Sequence, residues 1–290
     1  MSTSENAAGL LLLGNTARPG VQAILDDLSS FAAKSYDVVV RTTSDETPLE
    51  LVPRPHRIIV LGGDGTLIGV ARSAGASRIP LIGVNIGKLG FLAEFSVEEL
   101  KASFDRCINE PGLISRRLVL DVAVARNGSS TFRATAINDC VIQAGPPFRM
   151  VTLCVAIDGE PLTYARGDGL IVCTPSGSTA HNLSAGGPIL LPGVCAIVVT
   201  PLNAHSLTHK PLVVESDANI EIEMVEVNEG TSVIIDGQVS CLVKAGDRVA
   251  IRKSEAEFLL IRNPMHTRSH SLRTKLFWGK SAIQEEHRRS

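Results

Sequence analysis

The texture of the sequence changes near residue 116, and that change limits the architecture more than any other feature. Before it, strand and helix signals alternate. Leu10–Leu13 reads as a buried strand ended by Gly14-Asn15, and Pro19-Gly20 opens a stretch that puts Val21, Ile24, Leu25, Leu28 and Phe31 on one helical face. Asp37–Arg41 is short and β-branched, and Arg57–Leu61 is a continuous apolar strand running straight into Gly62-Gly63-Asp64-Gly65-Thr66. Leu67, Val70, Ala71 and Ala74 share the next helical stripe, and Ile79–Val84 supplies another strand. Val97, Leu100, Phe104 and Ile108 predict one further helix, stopped by Pro111-Gly112. Strands alternating with helices in this way argue for a parallel sheet covered by helices.

After residue 116 strand-like runs follow one another with little helix between them: 118–126, 132–142, 151–157, 169–174, 196–202, 211–216, 218–227, 231–235, 239–243, 247–252 and 257–262. Ile220, Ile222 and Met224 alternate with Glu221 and Glu223, the pattern of a strand wet on one face. Asp158-Gly159 and Asp236-Gly237 are hairpin-turn dipeptides, and Ser178–Ser184 reads as a single helical turn. The expected fold is therefore an α/β N-terminal domain with a parallel sheet, followed by an all-β, sandwich- or prism-like C-terminal domain. We place the first domain at 1–115, joined by a C-terminal helical segment, 266–290, that packs back on it through Leu272, Leu276 and Phe277. The second domain is placed at 116–265. The Arg, Lys and His of the last segment read as a solvated helix face.

Composition removes several function classes. Lys and Arg number 28 against 30 Asp and Glu, a formal charge of −2, which excludes a generally basic nucleic-acid clamp. The 6 cysteines show no CxxC and no metal-ligand spacing, so they read as reduced thiols. The longest early apolar run, Leu10–Leu13, is far too short to span a bilayer. The expectation is a soluble cytoplasmic protein with no nucleic-acid and no membrane partner.

Gly62-Gly63-Asp64-Gly65-Thr66 lies between a buried strand and an amphipathic helix, where open α/β sheets bind ligands. Its glycines let a phosphate or ribose approach the backbone, and the following helix start aims N–H groups at the same space. No Gly-Lys-Ser/Thr follows, so this is not a P-loop. Gly63-x-Gly65-x-x-x-Gly69 is a poor dinucleotide fingerprint, because Asp64 would repel a pyrophosphate by roughly 4 kcal/mol per charge pair at about 4 Å and an effective dielectric near 20. An acid there suits a proton acceptor for a hydroxyl, or a ligand for a phosphate-bound cation; the plainer alternative is an Asp that orders the turn. Asn85-Ile-Gly87-Lys88-Leu-Gly90-Phe91 follows the next strand, with Lys88 able to face phosphate and Phe91 a base, or both serving as ordinary loop residues. In the β half, Asn138-Asp139 interrupts an apolar run from Thr135 to Ile142, where a sugar diol would pair with the polar side chains. The run Thr174–Gly187 is dense in hydroxyls, glycines and amides, costly to bury unless hydrogen-bonded.

Together these segments resemble the NAD kinase family: GGDGT at 62–66, NIGKLGFLAEF at 85–95, IND at 137–139, RGDGLIVCTPSGSTAHNLSAGGP at 166–188, NAHSLTHKPLV at 203–213 and IDGQ at 235–238. GGDG alone occurs in lipid kinases and phosphofructokinases too, whereas the 166–188 block is highly specific. The resemblance implies transfer of a terminal phosphate from ATP or polyphosphate to the 2′-hydroxyl of the adenosine ribose of NAD, giving NADP. It implies Asp64 as the proton acceptor with Gly65 beside it, and Asn138 and Asp139 as the ribose-holding pair. Arg166 and Asp168 match positions near the nicotinamide, with Asp168 directed to a neighbouring subunit's site. Thr179, Ala180, His181, Asn182, Leu183 and Ser184 match the stretch around adenine and ribose. Ser176 and Phe91 join this binding set, Gln238 matches a polar residue at a far β-turn, and Arg149 is added by its spacing of ten from Asp139.

The resemblance also implies a divalent cation, Mg²⁺, that accompanies the donor, with no protein residue assigned as a metal ligand, and a homo-oligomer, dimer or tetramer. Three positions depart from the family's pattern: His181 replaces the usual Tyr, Asp139 the frequent Glu, and Lys210 the usual Arg. A neutral imidazole can still stack and hydrogen-bond. Two rival readings share some of these features, a lipid or sphingoid-base kinase and a non-catalytic NAD(H)-binding protein. A dehydrogenase would need a dinucleotide fingerprint and a catalytic His or Tyr-Lys arrangement that the sequence lacks.

Overall fold

The computed structural model describes residues 9–43, 54–87, 90–267 and 270–276. Lys88 and Phe277, singled out above, lie outside them. The chain divides into two compact units, Met1–Ser115 with Leu259–Ser290, and Arg116–Phe258.

The first unit opens with β1 (Gly9–Gly14), α1 (Val21–Ala32), β2 (Asp37–Thr42), β3 (Arg57–Leu61), α2 (Asp64–Ala74) and β4 (Leu81–Val84). These strands pair in parallel in the order β2-β1-β3-β4. Every residue of β3 is buried, as expected of a central parallel strand. Next come α3 (Val97–Ala102), α4 (Phe104–Asn109) and β5 (Ile114–Arg117), the last at the sheet's far edge. The single helix predicted from Val97 to Ile108 is thus two. Its break is Ser103, whose hydroxyl donates to the Glu99 carbonyl at 2.7 Å and so competes with the helical ladder. Leu25, Leu28, Ile59, Ile82, Phe95 and Leu100 form the core between sheet and helices.

The second unit is antiparallel. Its first sheet contains β6 (Leu120–Arg126) and β7 (Ser129–Ala136), and its second contains β8 (Asp139–Gln143). β9 (Val151–Ile157) and β10 (Glu160–Gly167) return to the first sheet and β11 (Gly169–Cys173) to the second. A 3₁₀ turn, Gly177–Thr179, and α5 (His181–Ser184) precede β12 (Ala196–Leu202) and β13 (Leu212–Glu215), both in the second sheet. β14 (Ile220–Glu226), β15 (Ser232–Ile235), β16 (Val239–Leu242) and β17 (Arg248–Lys253) follow. The orders are β10-β9-β14-β17-β6-β7 and β13-β12-β11-β8-β15-β16. Val122, Leu153, Ile222 and Val249 of one sheet share a core with Ile142, Leu170, Val172 and Val233 of the other, a sandwich. Asp158-Gly159 and Asp236-Gly237 turn with both residues at positive φ, as the hairpin dipeptides predict.

Two features differ from the sequence reading. The run 132–142 is not one strand: β7 stays in the first sheet and β8 enters the second, so Asn138 sits at the crossing rather than inside a strand. Strand β10 is missing from the predicted runs, because an exposed edge strand carrying Glu160 and Pro161 lacks a buried apolar face. The chain returns to the first unit through β18 (Phe258–Ile261), where Leu260 pairs in parallel with Leu81. Residues 259–265, expected in the second domain, therefore fall in the first unit. The last described element, α6 (His270–Lys275), also belongs there. Among the described residues no helix is long and apolar enough to cross a membrane.

Candidate functional site

In the first unit the site is built around Asp64. Strand β3 ends at Leu61, the Gly62 N–H donates to the Val84 carbonyl of β4, and extended Gly63 caps α2, so Asp64 is the first residue of that helix. The loop after β4 is pinned beside it: the Asn85 N–H donates to the Phe95 carbonyl at 2.8 Å and the Phe95 N–H to that of Gly83 at 3.2 Å. This loop turns three consecutive N–H groups onto one carboxylate. Phe91 donates to Asp64 Oδ2 at 2.7 Å, and Leu92 and Ala93 donate to Oδ1 at 3.0 and 2.9 Å. A carboxylate has about four acceptor positions. Three bonds, only one of them at Oδ2, fix the group and still leave room for a hydroxyl donor. The turn must be glycine at 90, since a Cβ there would overlap Asp64 Oδ1.

In the second unit, Asn138 and Asp139 stand where the chain crosses between sheets. A second carboxylate holds them. Asp236, in the turn between β15 and β16, accepts from the N–H groups of Ile137, Asn138 and Asp139 at 3.0, 2.7 and 3.1 Å. In the sequence Asp236 stands out as half of a turn dipeptide and as part of the IDGQ block, and nothing local marks its grip on residues about a hundred positions earlier. The Asn138 Oδ1 is buried and accepts no hydrogen bond among the described residues, a condition that costs about 1–3 kcal/mol until a donor arrives. Asp139 is 4% exposed, and burial, with the Asp236 charge second, pushes its carboxyl up to about 7.

The segment after β11 lies over the outer face of the second sheet, where Ala185 and Leu190 pack on Val141, Ile171, Cys173 and Val198. Thr174 ties it to the Asn138 crossing. Its hydroxyl donates to the Ile137 carbonyl at 2.7 Å and its N–H to that of Asn138 at 2.8 Å. Gly177 passes so close that a Cβ would overlap the Asn138 carbonyl oxygen. Ser176 is buried, Thr179, Ala180 and Leu183 are half-buried, and His181 and Ser184 are exposed. Asn182 is fully buried and its amide is spent inside the segment. Nδ2 donates to the Ser178 and Pro188 carbonyls at 3.2 and 3.0 Å, and Oδ1 accepts from the Thr200 hydroxyl at 2.6 Å. It shapes the segment and has no side-chain donor left over for a ligand. Gln238 is exposed on the turn that carries Asp236.

A further cleft of about 610 Å³ in the second unit brings Arg149, Arg166 and Asp168 together, with Phe148 and Asn228. The Asn203 amide fixes the Asp168 carboxylate at 2.8 Å, and the Asn228 amide fixes the Arg149 carbonyl at 2.6 Å. Two guanidinium residues beside a carboxylate suit a ligand carrying both anionic and hydrogen-bonding groups.

Models of the ATP-NAD kinase N-terminal and C-terminal domains match residues 26–112 and 137–263. The chain belongs to the NAD kinase family. The NAD kinase of Geotalea daltonii is 42% identical over 223 residues, 77% of this chain and 78% of that protein. That of Syntrophobacter fumaroxidans is 37% identical over 272 residues, 91% of this chain and 96% of its own length. Among solved structures, a yeast NADH kinase complexed with NADH shares the fold with a TM-score of 0.84 at 24% identity, covering 96% of this chain and 90% of that one. An NAD kinase from Archaeoglobus fulgidus in complex with ATP gives 0.71 at 25% identity, covering 88% and 94%. The reaction is accordingly that of an NAD kinase, phosphoryl transfer to NAD that yields NADP. These matches do not favour a lipid kinase or a non-catalytic binder.

Proposed function

We propose that this NAD kinase uses ATP with Mg²⁺ as donor and that Asp64 accepts the proton of the ribose 2′-hydroxyl as the terminal phosphate is transferred. A sugar hydroxyl is a poor nucleophile at neutral pH, and a positioned base is worth about 10²–10⁴-fold. The observation that carries the role is the cradle of Phe91, Leu92 and Ala93 N–H groups, which fixes the carboxylate while Oδ2 takes only one of the three bonds. The bound ATP and NADH of the two structural relatives support nucleotide and dinucleotide as ligands. Polyphosphate remains the second donor to test.

Asn138 and Asp139 hold the ribose; support comes from the unpaired Asn138 Oδ1, which a ribose hydroxyl would satisfy. Gly65, Phe91, Ser176, Thr179, Ala180, His181, Leu183, Ser184 and Gln238 contribute to binding, with Asn182 acting through the shape of its segment. Arg149, Arg166 and Asp168 bind the nicotinamide half, which their shared cleft supports. Among the described residues no group of three or more His, Cys, Asp or Glu could hold a metal. Mg²⁺ would enter with the donor, held by its phosphates, and would supply charge neutralisation there.

A homo-oligomer, dimer or tetramer, is supported by exposed Leu162 and Tyr164 on edge strand β10 and Leu212 and Val213 on edge strand β13. A cytoplasmic setting agrees with six free cysteines. The deciding experiment is Asp64→Asn assayed with NAD, ATP and Mg²⁺. Lost turnover with retained NAD binding is expected, and NADP formation at the wild-type rate would overturn the assignment.

A further inference from the structure

The C-terminal helix α6 is fastened to the first unit by one glutamate. Glu99 closes the capping box of α3, its Oε2 accepting from the Ser96 N–H at 2.9 Å. The same side chain takes the Asn263 amide at 3.2 Å and His266 Nε2 at 3.0 Å. His266 in turn stacks on His270, the first residue of α6, with ring centroids 3.8 Å apart and planes within 7°. Asn263 is buried and also donates to the Glu94 carbonyl at 3.2 Å. This chain of contacts delivers the other end of α6 to the Asp64 loop. There Lys275 Nζ lies 4.4 Å from the centroid of the Phe91 ring, and Phe91 is the residue whose N–H holds Asp64 Oδ2.

Lys275 is half-buried, yet its ammonium makes no hydrogen bond and no ion pair among the described residues. Burial lowers its pKa from the ordinary lysine value, while the Asp64 charge acts in the opposite direction, so the two groups feel one another without touching. A partly desolvated cation parked on a ring face, with its three N–H donors uncommitted, is matched by an anion not yet present. The same loop has to admit a polyanionic donor beside the Asp64 carboxylate, and the repulsion between them calls for positive charge close by.

We propose that Lys275 binds the terminal phosphate of the donor and offsets the charge on its non-bridging oxygens during transfer. In that step the ribose oxygen forms a bond to the terminal phosphorus, the bond from that phosphorus to the donor's bridging oxygen breaks, and the hydroxyl proton passes to Asp64. Lys275 keeps its own protons throughout. The inference rests on Asp64 being the proton acceptor, and the experiment separates the two claims.

Full-length Lys275→Met and Lys275→Arg are compared with wild type, varying ATP and NAD in turn with Mg²⁺ in excess. In Lys275→Met, kcat/KM for ATP should fall about 10²-fold, with KM for NAD within about twofold and the melting midpoint unchanged. Lys275→Arg, which keeps the charge, should recover most of that loss. An unaltered kcat/KM for ATP in Lys275→Met overturns the inference, as does an equal loss in both variants accompanied by a lowered midpoint. Asp64→Asn is run alongside. An active Asp64→Asn removes the premise, whereas a dead Asp64→Asn with an unimpaired Lys275→Met removes only the role of Lys275.

Discussion

Two carboxylates in this chain are held in the same manner for different ends. Asp64 accepts from the N–H groups of 91–93, and Asp236 accepts from those of 137–139. In each case one acid gathers three successive N–H donors, an arrangement that stabilises negative charge. The difference lies in what is being positioned. Around Asp64 the loop serves the acid, fixing it at the start of α2 beyond the end of a buried strand. Around Asp236 the acid serves the loop, holding open the crossing from β7 to β8 so that Asn138 and Asp139 are presented. An identical motif can therefore place either the reactive group or its neighbours, and only the surroundings tell which.

The sharpest way to break this comparison is to neutralise each acid. Both substitutions set an amide NH2 against N–H donors, so both should lower stability by a few kcal/mol, and the kinetics separate them. Asp64→Asn should lower kcat by about 10²–10⁴-fold, whereas Asp236→Asn should raise KM for NAD with kcat much less affected. Steady-state kinetics and thermal unfolding of both variants would show it. If Asp236→Asn lost turnover as severely as Asp64→Asn while staying folded, the division of labour would be wrong.

Asn182 lies on the structural side of the same divide. Its amide closes the segment 178–188 onto Thr200 in a fully buried setting. Asn182→Ala strands these partners and should cost about 2–3 kcal/mol, read as a lowered denaturation midpoint. Thr179→Ala nearby should shift KM for NAD without that loss, because its hydroxyl is half-buried and, among the described residues, bonded only to the Ser176 carbonyl at 3.2 Å.

How much of this was legible from the sequence follows the range of the forces involved. Arg57–Leu61, the loop at 62–66 and the Asp-Gly turns are local signals, and each forms where the pattern places it. The break of α3 from α4 at Ser103 was not legible, because a hydroxyl in a helix can either point to solvent or bond back to its own turn. The split of the apolar run at Asn138 was hidden for a stronger reason. It is enforced by Asp236, 98 positions away, and no periodicity encodes so distant a partner. Within the site, the family resemblance implies Asn182 as a binding group, whereas packing commits its amide to the fold.

The two glycines that make room for these groups give a finer test. A methyl at 90 presses on Asp64 itself and a methyl at 177 on the Asn138 carbonyl. Gly90→Ala should therefore lower kcat by about tenfold with little change in KM for NAD, and Gly177→Ala should raise that KM by a similar factor. The two variants failing in the same kinetic parameter would remove the distinction between the regions.

The smallest expected effect is a pH dependence that belongs to one region alone. Asp139 has its carboxyl raised from an ordinary 3.8 to about 7, chiefly by burial, so the folded chain holds a proton there that the unfolded chain releases. Between about pH 4 and 7 the native state binds more protons than the unfolded state, and stability falls as pH rises through that window. Above pH 7 the cost of a buried charge is carried in full. Asp139→Asn removes it, so the variant should be more stable than wild type at pH 8 and equal to it at pH 4. Ligand binding should move in the opposite sense, since the ionised carboxylate accepts the ribose hydroxyls better than the acid does. KM for NAD should fall about threefold from pH 6 to pH 8 in wild type and stay flat in Asp139→Asn. A wild-type KM equally flat over that range would mean that the proton on Asp139 is not linked to the ribose, leaving Asn138 to hold the sugar alone.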